Sequence, residues 1–179
     1  AETLEDRRDT FVHEIVRGSV RSKDQAECEV KASIDRLVYF AGWSDKITAV
    51  FGSVNPVSTP HFNFTVPEPT GVVGLVCPDE PSLLALVSIL AASLVLGNAV
   101  VAVVSESQPL AGATFGEVLA TSDVPAGVVN LLTGKQRELA DVLGTHLDVN
   151  AIIAATQDPE IRSALGEAVA TNLKRVSLI

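Results

Sequence analysis

Apolar residues recur along the chain in three different patterns, and the first covers residues 1–46. Leu4, Phe11 and Ile15 are spaced by seven and four positions, and Val30 and Ile34 repeat the four-residue spacing further on. Such spacing puts apolar side chains on one face of a helix. The pattern therefore predicts two amphipathic helices, separated by a polar break over residues 18–23.

The second pattern covers residues 47–67. A β-branched run over residues 47–51 is followed by a segment rich in Gly, Ser, Asn and Pro, and then Phe62, Phe64 and Val66 alternate with polar residues. Alternation of this kind is typical of a strand with one exposed face. Residues 47–67 are therefore predicted to form a protruding β-hairpin.

The third pattern, over residues 68–179, consists of continuous apolar runs separated by helical segments. Runs of this kind are typical of parallel strands that are covered on both faces. The predicted strands span residues 72–77, 99–104, 128–132, 151–155 and 176–179, and the predicted helices span residues 82–96, 109–122, 135–143 and 159–171. Strands that alternate with helices predict an α/β fold with a doubly wound parallel sheet.

Local signals mark the ends of two of these helices. Asp79 or Ser82 is predicted to cap the first of them, which Gly97 then terminates, while Asp158 and Pro159 form a cap and first-turn pair for the last. Asp and Ser side chains accept hydrogen bonds from the unpaired N–H groups of a first turn, and proline is well suited to the first helical position.

The composition narrows the class of protein. With 47% hydrophobic and 20% charged residues the chain is typical of a folded domain, and its net charge of −9 argues against nucleic acid as a partner. The longest apolar stretch, residues 83–96, is shorter than the ~20 residues that span a bilayer. Without a signal-peptide pattern or paired cysteine spacing, the chain is expected in the cytoplasm and away from membranes.

The sequence contains none of the common motifs for phosphate binding, metal binding or nucleophilic catalysis. Gly71 and Gly74 fall within a predicted strand rather than in a GxGxxG phosphate loop, and no Walker motif is present. The three histidines have no partner at metal-ligand or triad spacing, so no metal site is predicted. Cys77 ends an apolar strand without a neighbouring basic residue, which favours a packed thiol over a nucleophile.

Five segments in order resemble the aldehyde dehydrogenase superfamily: GWSDKI at 42–47, EPTGVVGLVCP at 68–78, LGNAVV at 96–101, AGVVNLLTG at 126–134 and NLKRVSL at 172–178. The resemblance implies a Rossmann-related domain that binds NAD or NADP, an oligomerisation hairpin and a separate catalytic domain with a cysteine nucleophile. We accordingly expect residues 1–46 to be helices of the nucleotide-binding domain, residues 47–67 a bridging hairpin, and residues 68–179 its core, truncated before the catalytic domain.

Positions that serve catalysis and ribose binding in the family are altered here. Glu80 occupies the position of the family's oxyanion-stabilising Asn, where a carboxylate would repel the developing negative charge. Val103 replaces the Lys that reaches the adenosine ribose, whereas Ser105 and Glu106 of the same motif remain. The resemblance thus predicts weakened cofactor binding at this strand end.

The remaining family positions are altered in the same direction. Of a Gly-x-Gly turn only Gly134 remains, with Gln136 in place of the second glycine, and residues 154–157 replace the family's Phe-Thr-Gly-Ser turn. Ile179 stands where the general-base Glu follows the last strand motif, and an isoleucine cannot transfer a proton. By this resemblance no catalytic position of the family is intact in the chain, and binding of NAD or NADP is doubtful.

Three functions remain open at this point. The leading hypothesis is a noncatalytic domain with a structural or regulatory role, which forms a homo-oligomer or binds an active homologue through the hairpin. The alternative is an active aldehyde or semialdehyde dehydrogenase whose catalytic cysteine lies outside these residues. A third possibility is a different small ligand, or an acyl carrier, in the cofactor pocket.

Overall fold

The computed structural model describes residues 1–179, which form eight helices and seven strands. The helices α1 to α8 span Glu2–Asp6, Arg8–Gly18, Lys23–Ala41, Ile47–Phe51, Ser82–Leu94, Pro109–Ala120, Gln136–Thr145 and Pro159–Asn172. The strands β1 to β7 span Ser53–Asn55, Asn63–Thr65, Val72–Val76, Ala99–Val103, Val129–Leu132, Ala151–Ala154 and Arg175–Leu178. None of the helices has the length and apolar content needed to cross a bilayer.

A five-stranded parallel sheet in the order β5-β4-β3-β6-β7 forms the centre of the fold. The chain builds outward from β3 through β4 to β5, then returns to the other side of β3 with β6 and β7. This reversal is the topological switch point of a doubly wound sheet, beyond which such folds bind ligands. The predicted α/β fold class is confirmed.

Two apolar cores cover the two faces of the sheet. Val73 and Leu75 of β3 point into a core of 21 buried residues built with α1, α2, α3, α5 and α6. Val76 points into a second core of 10 buried residues, built with α7 and α8. Alternate side chains of β3 thus lie in different cores, which explains why this strand is apolar throughout.

The N-terminal helices are held by local and long-range contacts. The first predicted helix is interrupted at Arg7, so it forms α1 and α2. α3 begins with a capping box in which the Ser22 hydroxyl accepts from the Gln25 N–H at 3.3 Å and the Gln25 side chain accepts from the Ser22 N–H at 3.0 Å. Buried residues of α2 and α3 then pack against α5 and α6.

The strand predicted over residues 47–51 is wrong, because these residues form the short helix α4. The turn after α3 continues directly into it, with the Ile47 N–H donating to the Trp43 carbonyl at 3.1 Å. Ile47 is buried, and the Trp43 and Phe51 rings lie 6.4 Å apart. Packing against the end of α3 therefore outweighs the β propensity of the short apolar run.

The hairpin is limited to β1 and β2, an antiparallel pair separate from the main sheet. Val54 lies opposite Phe64, and the Phe62 and Phe64 rings are 5.4 Å apart on the same face. On the neighbouring positions Asn55 donates to the Asn63 side chain at 2.9 Å. The ribbon therefore has one apolar and one polar face, and its apolar residues remain exposed.

Alanine substitutions at two glycines, one on α7 and one on α8, test how tightly these two helices pack against each other. A Cβ at Gly144 would lie 2.8 Å from the Cβ of Ala168, whereas a Cβ at Gly166 would have nothing within 4 Å. We expect Gly144→Ala to lower the free energy of unfolding by about 1–3 kcal/mol through overpacking. Gly166→Ala should raise it by about 0.5–1 kcal/mol because alanine favours the helix. Urea unfolding measures both, and equal effects would contradict the close packing.

Candidate functional site

A cleft of about 600 Å³ lies at the carboxyl edge of the sheet, at the switch point between β3 and β6. The turns that follow β3, β4 and β6 contribute to it, together with the first turns of α7 and α8. It is lined by Pro78, Asp79, Glu80, Glu106, Gln136, Arg137, Thr156, Gln157, Asp158 and Ile161. The position matches the ligand-binding crevice of a doubly wound sheet.

The lining of this cleft is acidic. Four carboxylates, on Asp79, Glu80, Glu106 and Asp158, face a single cationic side chain, Arg137. That guanidinium already pairs with Glu160 in the first turn of α8. An anionic ligand in the cleft would therefore meet an unfavourable field rather than an attractive one.

The N-terminus of α5 is capped by a carboxylate from a distant helix. Glu29 of α3 accepts hydrogen bonds from the Leu83 N–H at 2.9 Å and the Leu84 N–H at 3.2 Å, and its side chain is only 2% exposed. The predicted caps, Asp79 and Ser82, are both wrong. Pro81 is the N-cap residue, and the buried Ser82 hydroxyl has no hydrogen-bond partner. The buried Glu29 carboxylate thus accepts the hydrogen bonds that the first-turn amides of α5 cannot make within the helix.

Carboxylates also occupy the first turns of α7 and α8. Glu106 accepts from the Gln136 N–H at 2.8 Å, and Asp158 accepts from the Glu160 N–H at 2.8 Å. The Asp158 and Pro159 pair predicted for α8 is confirmed. Unpaired amides at helix N-termini are the groups that bind phosphate in many proteins. Here the chain's own side chains take up several of those amides.

The fourth helix at this edge, α6, begins differently. Pro109 at its start has no N–H to satisfy, and the Gln108 N–H donates to the Ser105 hydroxyl at 2.9 Å. Ser105 in turn donates to the Asp79 carboxylate at 2.9 Å. The two turns that follow β3 and β4 are therefore joined by side-chain hydrogen bonds.

Asp79 is charged at neutral pH despite its partial burial. Burial raises the pKa of this carboxyl, but hydrogen bonds from the Ser107 N–H at 3.0 Å and from Ser105 outweigh it and hold the pKa below its usual value. These donors favour the carboxylate over the protonated acid. Asp79 therefore adds a fixed negative charge to the wall of the cleft.

Gln136 fills the space between the ends of β3 and β4. Its side-chain amide donates to the Cys77 carbonyl at 2.7 Å and to the Val104 carbonyl at 3.3 Å, and the residue is 6% exposed. A glycine at this position would leave an open backbone surface beside both strands. The Gln136 side chain therefore closes part of the sheet edge to any ligand.

The cleft brings together several of the positions carried over from the family resemblance. Glu80, Glu106, Gln136, Thr156 and Gln157 line it. Ser105 is buried and bound to Asp79, and Val103 is fully buried in the core beside α7 and α8. Gly134 precedes α7 with a φ of +152°, which favours glycine, and Ile179 is exposed beyond β7. Neither residue lines the cleft.

Sequence reasoning missed the part that Glu29 and Arg21 play near this edge. Glu29 acts on amides 54 and 55 positions away, and Arg21 contacts both Glu29 and Glu80. The available signal was the spacing of Glu29, which follows the apolar Ala26 by three positions and so lies on the same face of an amphipathic helix. Such a position predicts burial without identifying the partner.

The cysteines and histidines form no catalytic arrangement. Burial raises the pKa of the Cys77 thiol to about 12, so this side chain stays protonated and is a poor nucleophile, in accord with the packed thiol predicted for it. Cys28 is exposed and unpaired. No three His, Cys, Asp or Glu side chains are arranged so that they would hold a metal ion.

We expect Gln136→Ala to lower the free energy of unfolding by about 1–3 kcal/mol, because two strand-end carbonyls lose a buried donor. Gln157→Ala is the matched control, since Gln157 lines the same cleft but is exposed. Urea unfolding of both variants measures the difference. Equal stability of the two variants would show that the Gln136 amide contributes nothing to the sheet edge.

Comparison with known proteins gives a consistent result. The model of the aldehyde dehydrogenase family matches residues 1–179. Human retinal dehydrogenase 2 is 34% identical over 151 residues, which are 84% of this chain and 28% of that protein. An aldehyde dehydrogenase of Davidiella tassiana is 30% identical over 153 residues, 86% of this chain and 30% of that protein.

Solved structures agree with the family. PnpE from Pseudomonas sp. WBC-3 superposes with a TM-score of 0.92 at 28% identity, over 99% of this chain and 36% of that one. PnpE has also been solved in complex with nicotinamide adenine dinucleotide, with the same TM-score. The chain spans less than a third of the length of the curated relatives it matches. By fold and by sequence, this chain belongs to the aldehyde dehydrogenase family and corresponds to its N-terminal NAD-binding portion.

Proposed function

We propose that this segment is noncatalytic and serves a structural or regulatory role within an aldehyde dehydrogenase-like protein. One observation carries the proposal: at the edge where a dinucleotide would lie, Glu29, Glu106 and Asp158 occupy amides of three helix N-termini. A ligand phosphate would have to displace a carboxylate from each first turn that it approached. This competition is absent where the N-terminal amides are free.

The residues present do not fit NAD or NADP, the cofactor class that the family and the PnpE complex suggest. A dinucleotide carries an anionic pyrophosphate, whereas the cleft presents Asp79, Glu80, Glu106 and Asp158. By the family resemblance, Val103 stands where a Lys would reach the ribose, and it is fully buried. The negative charge of the cleft and its lack of a free cation thus both disfavour the cofactor.

A second candidate is an active aldehyde or semialdehyde dehydrogenase whose nucleophile lies elsewhere in the protein. Family membership over the whole chain favours it. In this reading the expected cysteine stands in a Gly-Gln-x-Cys setting that follows the segment described here. Sequencing the gene beyond codon 179 separates the two candidates, because such a cysteine supports activity and a different residue removes its nucleophile.

We expect neither NAD nor NADP to bind the chain with a dissociation constant below about 1 mM. A loss of ~4 kcal/mol in binding free energy, caused by the carboxylates and the missing cation, would turn a micromolar dissociation constant into a millimolar one. Isothermal titration calorimetry at moderate salt measures this directly. PnpE, which has been solved with the dinucleotide, is the positive control. Micromolar binding to the chain would refute the noncatalytic proposal for this cleft.

We also propose that the hairpin mediates self-association, or association with an active homologue. β1 and β2 form an isolated two-stranded ribbon, an arrangement that is only marginally stable in water on its own. Its apolar face nevertheless exposes Val54, Phe62 and Phe64, at 68%, 74% and 59%. A partner that covers this face would remove apolar surface from water and hold the ribbon in place.

Sedimentation equilibrium of the chain is expected to show dimers or larger species at micromolar concentration. Phe62→Ser with Phe64→Ser should shift the distribution towards monomer, because it removes the apolar face of the ribbon. Leu147→Ser is the control, since Leu147 is 80% exposed and lies outside the ribbon. A monomeric mass for the unsubstituted chain, alone and mixed with an active homologue, would contradict this proposal.

The compartment that we propose is the cytoplasm. Cys28 and Cys77 are both unpaired, and Cys28 is exposed. Free thiols persist in reducing compartments, whereas extracellular domains usually pair their cysteines.

A further inference from the structure

Arg21 joins two carboxylates that belong to different parts of the chain. Its guanidinium lies 2.7 Å from a Glu29 carboxylate oxygen through Nη1 and 3.5 Å from a Glu80 carboxylate oxygen through Nη2. Glu29 belongs to α3, and Glu80 belongs to the turn of residues 77–81 that follows β3. We call this turn the cleft wall, because Pro78, Asp79 and Glu80 line the cleft. One side chain thus connects the N-terminal helices with the cleft wall.

The Glu29 carboxylate needs Arg21 as a partner. Its side chain is 2% exposed, and one oxygen accepts from the Leu83 and Leu84 amides while the other accepts from Arg21. A buried carboxylate that loses its cation is strongly unfavourable. Without Arg21, Glu29 is therefore expected to move towards water and to release the first turn of α5.

The Glu80 carboxylate is held from two sides. Beside its contact with Arg21, one oxygen accepts from the Gln108 side-chain amide at 2.6 Å, and Gln108 is only 7% exposed. Gln108 is also fixed at its backbone, where its N–H donates to Ser105. Glu80 is therefore anchored between the α2–α3 link and the start of α6.

Arg21 is itself well positioned for this contact. It lies in the link of residues 19–22, where its N–H donates to the Ser19 hydroxyl at 3.2 Å. Ser22, the next residue, forms the capping box that begins α3. The backbone on both sides of Arg21 is thus held in place before its side chain reaches the two carboxylates.

We infer that Arg21 is a latch: its guanidinium binds the Glu29 and Glu80 carboxylates together and thereby keeps the cleft wall and the first turn of α5 in one conformation. The order of a ligand-facing turn then depends on a link more than fifty positions earlier in the chain. The inference is independent of the proposed noncatalytic function, because it concerns the order of the cleft wall and its test uses no dinucleotide.

Amide hydrogen exchange followed by NMR tests the latch. Arg21→Ala is expected to speed exchange of the Leu83 and Leu84 amides by about tenfold or more, which corresponds to the loss of a buried charge-assisted contact. Strand amides of β4 should keep their rates. Arg7→Ala is the matched control, because Arg7 forms an exposed ion pair with Glu117 at 2.9 Å, and it should leave Leu83 and Leu84 within about twofold.

Glu80→Ala keeps the test decisive if Arg21→Ala does not fold, since the Glu80 side chain is 47% exposed. It should speed exchange of the Leu83 and Leu84 amides about threefold, less than Arg21→Ala because the buried Glu29 contact remains. Glu117→Ala, which removes an exposed carboxylate, is its control and should change neither amide.

Two results would overturn the latch. One is unchanged exchange at Leu83 and Leu84 in the folded Arg21→Ala and Glu80→Ala variants. The other is acceleration by the same factor at these amides and throughout β4, because that pattern means a global loss of stability. Where both single variants fold, the double variant should exchange no faster at these two amides than Arg21→Ala alone, as expected for side chains that act through one contact.

Discussion

The unpaired amides at the starts of α5, α7 and α8 are the constraint on which the rest of the sheet edge depends. A doubly wound sheet brings the N-termini of its helices to the carboxyl ends of the strands, and each first turn needs acceptors. A bound anion can supply them, and so can the protein. In this chain Glu29, Glu106 and Asp158 do so. The same hydrogen bonds that complete these helices also oppose an anionic ligand.

The charges of this edge act together. Hydrogen bonds keep the pKa of Asp79 low, so its carboxylate remains charged at neutral pH, and Arg137 is already paired with Glu160. Arg21, the nearby cation, contacts two carboxylates at once. The available positive charge is thus used within the protein, and the net field of the cleft is set by its carboxylates. A phosphate group entering here finds neither a free cation nor a full set of free amides.

The sequence predicted the sheet better than the site. Strands such as β3 and β4 are buried on both faces, so they form continuous apolar runs in the sequence. Such runs are typical of parallel sheets, and the sequence therefore predicts the parallel arrangement. Residues 47–51 were misassigned because their helix depends on packing against Trp43, which local propensity does not express. The cap from Glu29 to Leu83 was missed for a related reason. It joins residues 54 positions apart, and no local pattern indicates which buried carboxylate meets which helix.

Altered family positions and a well-formed scaffold are physically compatible here. Val103 lies wholly inside the second core, in a cluster with Val76 and Ala154, and burying a valine contributes about 1.5–3 kcal/mol relative to an exposed one. A lysine there would have to extend its ammonium to the sheet edge. Gln136 likewise satisfies two carbonyls that a glycine would leave open. Under the proposed noncatalytic function, Val103 and Gln136 would remove ligand contacts and at the same time stabilise the fold, as a trade-off between stability and function predicts.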